Sequence, residues 1–396
     1  MTILKILYDH QIFYRQNYGG VSRYFCELMN QFSMDPDIPF TLPLRFVQND
    51  NLARFPHLNK YWSGRYNRLY NNNFVSLIQK KIRFNAVNFG LNYIINNQAE
   101  SVQLLKKQDF DVFHPTYYEP YFLKYLQKKP YVLTVYDMIH ELFPEYFKPA
   151  DKTRSWKKKL IGNAGAVIAI SENTKKDIIT FTGIDPNRVR VIHLGNPFEH
   201  SNEPAGIDTS SDPPVFGNPY LLFVGGRSAY KNFNFFIESV AGLLRENEEL
   251  QAVCAGSSPF TDEEKKFLRD LHILHKVHYI RINEEILKNL YKNARAFVFP
   301  SLYEGFGLPI LEAFSCGCPV LLTDSSSLPE VGGDAALYFT PGDKESLVRA
   351  VNTVLFDGKC RDNLIKKGSE RLKLFSWERT AGSTKKVYQD LLNLDD

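Results

Sequence analysis

The feature that most constrains the fold of this chain is an alternation of short β-branched runs with helical patterns. In the first half the runs are ILKILYD (3–9), DVFHP (111–115), YVLTVYD (131–137), AVIAIS (166–171) and RVRVIHLG (188–195), with GGVSRYFCELMNQF (19–32) reading as a loop that enters a helix. The second half restarts with YLLFVGG (220–226), LQAVCAGS (250–257), KVHYI (276–280), AFVFPS (296–301) and PVLLTD (319–324), with helical patterns at 232–246, 284–294 and 309–316. Such alternation builds parallel sheets, because a parallel neighbour is reached only by a crossover long enough to hold a helix. Between the two sets lies PFEHSNEPAGIDTSSDPPVFGNP, whose proline, glycine, serine and aspartate content sustains no period. The expected division is two α/β domains, 1–200 and 219–376, joined by a linker over 201–218. The stretch 377–396 has helical periodicity and is expected to cross back to the first domain.

Composition narrows the class. With 44% apolar and 23% charged residues in 396, the chain has ordinary globular usage and enough length for two cores. No apolar run approaches the roughly 18 residues of a membrane span. The start, MTILKILYDH, lacks the pattern of a secretory signal, and five scattered cysteines make no disulfide framework. The expectation is a cytoplasmic protein. Residues 1–200 carry 26 basic against 17 acidic side chains, while 201–396 carry 22 against 27. Between 51 and 99 there are seven basic and no acidic side chains: Arg54, Lys60, Arg65, Arg68, Lys80, Lys81 and Arg83, interleaved with aromatics. That stretch suits peripheral contact with an anionic membrane face or a phosphate-bearing acceptor, and equally a solvated helical face. No RNA-binding pattern accompanies it, so no nucleic-acid partner is expected.

Open α/β sheets bind ligands at the carboxyl ends of their strands, so the chemistry belongs on the loops that follow them. After AFVFPS, Glu304 lies on a loop with Gly305 and Gly307, and Pro309 suits a first helical turn that carries Glu312. Loop and helix-start N–H groups offer an anion cradle, and a deeper carboxylate can accept the paired hydroxyls of a ribose. The plain alternative is that Glu312 caps a loop or pairs with a lysine. After YLLFVGG come Arg227 and Lys231, a guanidinium fork and a point charge that suit a diphosphate. Asp35-Pro36-Asp37 has the form of a metal-binding D-x-D but reads as a turn, and neither His272, His275 and His278 nor Cys316 and Cys318 complete a metal set. No metal and no cofactor are expected.

The string PSLYEGFGLPILEAFSCGCPVL (300–321) resembles the donor-site motif of glycosyltransferase family 4, with DSSSLPEVGGDAALYFTPGD (324–343) continuing the likeness. The resemblance implies a GT-B fold, two Rossmann-like domains facing each other across a cleft. It implies a retaining enzyme that moves a hexose from a nucleotide-diphosphate sugar to a glycan or lipid-linked glycan acceptor in surface polysaccharide biosynthesis. The mannosyltransferase-like branch places GDP-mannose ahead of a UDP-sugar as donor. Glu304 would then hold sugar hydroxyls, with Gly305, Phe306, Gly307 and Leu308 lining the donor, Glu312 on the ribose, and Arg227 and Lys231 on the diphosphate. Gly19 and Gly20 resemble the family's N-terminal glycine loop. In TVYDMIHELFPEYF, Asp137 and His140 resemble a segment near the reacting sugar, although the family often has histidine before the aspartate, where this chain has Tyr136. Gly256 and Arg281 would border the nucleotide base. His114 ends another strand and reads either as a crevice group or as a satisfied core histidine. The rival functions are an epimerase or hydrolase of nucleotide sugars on the same architecture, and a non-catalytic nucleotide-sugar-binding protein.

Overall fold

The computed structural model describes residues 3–45, 47, 49–63, 86–199, 216–227, 229–256 and 258–393, with side chains in the helix beginning at Ala86 described from Asn97 onward. Five of the seven basic residues of the 51–99 stretch, and the expected linker before 216, lie outside those residues.

The chain forms two compact units. Unit 1 comprises Met1–Ile170, Thr174–His193 and Trp377–Asp396; unit 2 comprises Ser171–Asn173 and Leu194–Ser376. In unit 1, β1 (Ile6–Tyr8) pairs in parallel with β2 (Phe40–Thr41) on one side and β3 (Val112–His114) on the other. A second parallel sheet runs β4 (Val132–Val135), β5 (Ala166–Ala169), β6 (Val189–Val191). The bridge Phe113–Tyr131 joins the two sheets. All residues of β1, β3 and β4 are buried, as expected of parallel strands covered on both faces. β2 had no signal in the sequence: two residues after a turn carry no readable period.

Unit 2 has one six-stranded parallel sheet in the order β12-β11-β10-β7-β8-β9. Its strands are β7 (Tyr220–Val224), β8 (Gln251–Ala255), β9 (Val277–Ile280), β10 (Ala296–Phe299), β11 (Val320–Thr323) and β12 (Ala336–Phe339). The chain starts at β7, winds out to β9, then returns to the far side of β7 with β10. The carboxyl ends of β7 and β10 therefore flank the switch point, where such sheets open a crevice. One continuous core forms on this sheet, from Leu221 and Phe223 through Phe236, Val240 and Leu244 to Val298, Val351 and Val354.

The final helix, Trp377–Asn393, packs inside unit 1 against the helix Gly20–Phe32. Trp377 and Tyr388 are fully buried there. The Tyr388 hydroxyl lies 2.6 Å from His114 Nδ1 and 3.3 Å from the Tyr8 hydroxyl, and His114 Nε2 lies 2.9 Å from Thr134 Oγ1. Both nitrogens of His114 are thus occupied, and burial lowers its pKa to about 3. It is a satisfied core histidine. Asp35 and Asp37 form a turn in which Asp35 Oδ1 accepts the Asp37 N–H, and both carboxylates face Lys385 of the final helix, at 2.7 and 3.7 Å.

Candidate active site

The strand order of unit 2 brings together two residues 73 positions apart. Lys231 ends a 3-10 turn, Ala229–Lys231, shortly after β7, and Glu304 follows β10. Lys231 Nζ donates to Glu304 Oε1 at 2.6 Å across the switch point, and both side chains are mostly buried. The ammonium also lies 5.5 Å from the Phe299 ring centre, and the aromatic wall limits screening of the pair by water.

The loop carrying Glu304 is shaped by the segment after β11. The Glu304 N–H donates to Ser326 Oγ at 2.9 Å, so it is not open to a ligand as an anion cradle would require. Ser327 Oγ donates to the carbonyls of Glu304 and Phe306, both at 2.9 Å, and Thr323 Oγ1 donates to the Ser301 carbonyl at 2.6 Å. Ser301 is itself buried at the end of β10, with its Oγ unpartnered among the described residues. Gly307, at φ +111°, caps the helix Leu308–Ser315, with Pro309 in its first turn. A Cβ there would stand 2.9 Å from Ile310 Cδ1 in a conformation side chains rarely adopt, which is why glycine occupies it. Phe306 is buried edge-on to Phe375, whereas Gly305 and Leu308 are half-buried.

Glu312, one turn into that helix, is 8% exposed and accepts a hydrogen bond from the buried Tyr291 hydroxyl at 3.1 Å. Burial, followed by the nearby Glu312 charge, pushes the Tyr291 pKa well up, so the phenol stays a donor. Arg227 does not join Lys231. Its Nε and Nη2 grip the two oxygens of Glu264 at 2.6 and 3.0 Å. Gly256, at φ +92°, follows β8, and its N–H reaches the Ile280 carbonyl at 3.3 Å, while Arg281 is exposed just beyond that carbonyl.

Comparison with known proteins decides what such a site belongs to. Residues 57–197 match the family described as Glycosyltransferase Family 4, and residues 211–371 match Glycosyl transferases group 1. The chain belongs to glycosyltransferase family 4. Among relatives, O-antigen chain mannosyltransferase B of Escherichia coli is 28% identical over 304 residues, covering 75% of this chain and 78% of that protein. The mannosyltransferase RfbU of Salmonella typhimurium is 28% identical over 56% of this chain and 60% of its own. Two solved structures share the GT-B fold. Sucrose-phosphate synthase of Thermosynechococcus elongatus superposes with a TM-score of 0.68 at 18% identity, covering 99% of this chain and 100% of that one. Anabaena HepE, solved with UDP and glucose, gives 0.67 at 17% identity over 98% and 99%. The protein is therefore a nucleotide-sugar-dependent glycosyltransferase.

The enzyme's remaining sequence-marked residues lie in unit 1. A short helix, Gln11–Arg15, separates β1 from Gly19 and Gly20, so the glycine pair does not follow the strand directly. Gly19 is extended (φ 169°), and its carbonyl accepts from Arg23 N, Ser22 Oγ and Asn51 Nδ2. The Ser22 N–H in the first turn of the following helix is taken by Gln16 Oε1 at 3.2 Å. Asp137 follows β4, and its carbonyl accepts from Lys157 Nζ at 2.9 Å. Lys157 is fully buried, and it also donates to Glu141 Oε2 at 2.8 Å. His140 stacks on Phe147 at 3.8 Å, with Nε2 3.7 Å from Asp151 and a buried Nδ1 unpartnered among the described residues. Burial and then the Lys157 charge lower its pKa, favouring the neutral ring. The sequence did not single out Glu264, Tyr291, Ser301, Ser326, Ser327 or Lys157. Only Thr261-x-x-Glu264 carried a local signal, that of a capping box.

Proposed function

We propose that the enzyme transfers mannose from GDP-mannose to a lipid-linked glycan during surface polysaccharide assembly, with retention of anomeric configuration and without a metal ion. The observation that carries this reading is the Lys231–Glu304 pair at the switch point of unit 2. The donor has two demands. Departure of the diphosphate builds negative charge that needs a fixed cation, and the sugar ring needs an acceptor for its hydroxyls. Lys231 and Glu304 supply one of each, side by side. A preorganised cation stabilises the leaving diphosphate without reorganising at the moment of reaction, which is the role a divalent ion would otherwise fill. Glu312, buried and oriented by Tyr291, is suited to the ribose. Mannosyltransferases recur among the relatives, two of them in O-antigen chains, and this supports mannose and a glycan acceptor.

Residues Asp137 and His140 are read as acceptor or sugar contacts. A neutral, stacked imidazole beside a carboxylate held through Lys157 can donate or accept one hydrogen bond without carrying charge. Within the described residues no helix is long and apolar enough to cross a membrane, so contact with a lipid-linked acceptor would be peripheral. The deciding assay incubates radiolabelled GDP-mannose, UDP-glucose and ADP-glucose separately with a membrane lipid extract, with and without EDTA. Label is expected in the lipid fraction from GDP-mannose alone, undiminished by EDTA and as the α-anomer. Label from UDP-glucose instead would overturn the donor assignment, and loss with EDTA would overturn metal independence.

A further inference from the structure

Resting on the reading that Arg227 faces the donor diphosphate, we propose that Glu264 is a positioning residue for donor binding: it fixes the Arg227 guanidinium so that one edge is presented to the phosphates. Arg227 follows β7, and its side chain is only 5% exposed. Nε donates to Glu264 Oε1 at 2.6 Å. Nη2 donates to Glu264 Oε2 at 3.0 Å and to the carbonyls of Ser258 and Pro259 at 2.9 and 3.2 Å. The guanidinium carbon lies 4.8 Å from the Phe260 ring centre and 5.9 Å from that of Phe233. Every partner grips the Nε–Nη2 side. Among the described residues none takes the two N–H groups of Nη1, so a single edge of the fork is left for a ligand oxygen.

Glu264 is itself held in place. It sits in the first turn of the helix Asp262–Asp270, where its Oε2 accepts the Thr261 N–H at 2.8 Å and its own N–H donates to Thr261 Oγ1 at 3.2 Å. Burial works against its charge, but the hydrogen bonds from Arg227 and from the Thr261 backbone hold its pKa below the ordinary value. A carboxylate built into a capping box does not swing away when a diphosphate arrives. The Arg227–Glu264 pair carries no net charge, so its contribution to a bound diphosphate is geometric. Lys231 is paired with a different carboxylate, Glu304. A guanidinium whose rotamer is fixed before binding loses less freedom when it bonds the ligand, which raises affinity.

The test is calorimetric titration of GDP and UDP into four proteins: wild type, Glu264→Gln, Arg227→Ala and the double variant. Glutamine at this position can keep the capping-box hydrogen bond, so the fold is retained. Glu264→Gln is expected to weaken nucleoside diphosphate binding about tenfold while leaving kcat at saturating donor within about twofold. In the Arg227→Ala background the same change should have no further effect, because Glu264 acts only through the guanidinium. Thr261→Ala, which removes the capping hydroxyl but keeps both the Thr261 N–H that holds Glu264 Oε2 and the Arg227 contact, should lower the melting temperature and weaken diphosphate binding far less than Glu264→Gln. Unchanged or tighter binding by Glu264→Gln, an effect that persists without Arg227, or an equal loss with Thr261→Ala would overturn the proposal. If Arg227→Ala itself binds diphosphates as well as wild type, the underlying reading of Arg227 fails instead.

Discussion

The two units carry the same topological opening, and they fill it in opposite ways. In unit 1 the switch point lies between β1 and β3, and Asp9 follows β1 there with no exposure. Its carboxylate accepts from Gln11 N and Nε2, Thr116 N and Oγ1, and the Tyr121 hydroxyl, all donors of the same unit. A carboxylate with that many partners has no capacity left for a ligand. In unit 2 the equivalent opening, between β7 and β10, holds a mostly buried cation and carboxylate that meet at 2.6 Å. The first arrangement locks loops together. The second keeps charge of both signs where a polar donor could replace or share it.

Removing the charge in unit 2 should give the largest effect. Lys231→Ala is expected to cut transfer by about 10²–10³, while the stability lost by stranding the Glu304 carboxylate stays below that of Asp9→Ala, read from initial rates and a thermal melt. A fall in melting temperature to match the fall in rate would erase the contrast. The reverse holds for Asp9→Ala, which strands several buried donors and should cost at least about 3 kcal/mol of stability in a denaturant titration.

Acid should separate the units next. Burial lowers the pKa of His10 to about 4 and that of His114 to about 3. Around His10, the nearby Asp9 raises the value and Arg15 lowers it, both less than burial does. Each ring stays neutral when folded, whereas the unfolded chain takes up a proton below the usual histidine value of about 6.5. The unfolded state then binds more protons, so stability is complete above that pH and declines on acidification toward about 4. Thermal melts at pH 7.5, 6 and 4.5 should show unit 1 melting progressively earlier. Replacing His114 with glutamine should flatten that slope.

Smaller effects should sharpen the picture. Tyr388→Phe removes a buried hydroxyl from His114 and Tyr8 and should cost about 1–2 kcal/mol, with its effect confined to unit 1. Gly307→Ala should cost about 1–2 kcal/mol through its positive φ and the contact with Ile310, and it should disturb the loop that aims Glu304.

Much of the fold was readable before any coordinates. The runs AVIAIS, YLLFVGG and AFVFPS became β5, β7 and β10 within a residue or two, because strands buried on both faces need unbroken apolar stretches. Strand β2 escaped because it is only two residues long. In the site, the motif placed Glu304 and Glu312 on one loop and helix, since their spacing is local. The partners were not legible. Arg227 and Lys231, four residues apart, read as one basic pair, yet they close on carboxylates 37 and 73 positions away.

The amino-acid order alone fixed the alternation of strand and helix, the parallel sheets and the glycines that the loops need, because each depends on near neighbours and on which side chains avoid water. It could not say which cation would meet which carboxylate, that Ser326 and Ser327 would shape the Glu304 loop, or that the last helix would bring Tyr388 to His114. Those outcomes follow from strand order, which brings the ends of distant segments within hydrogen-bond reach, where burial turns a contact of 2.6 Å into a determinant of charge and geometry.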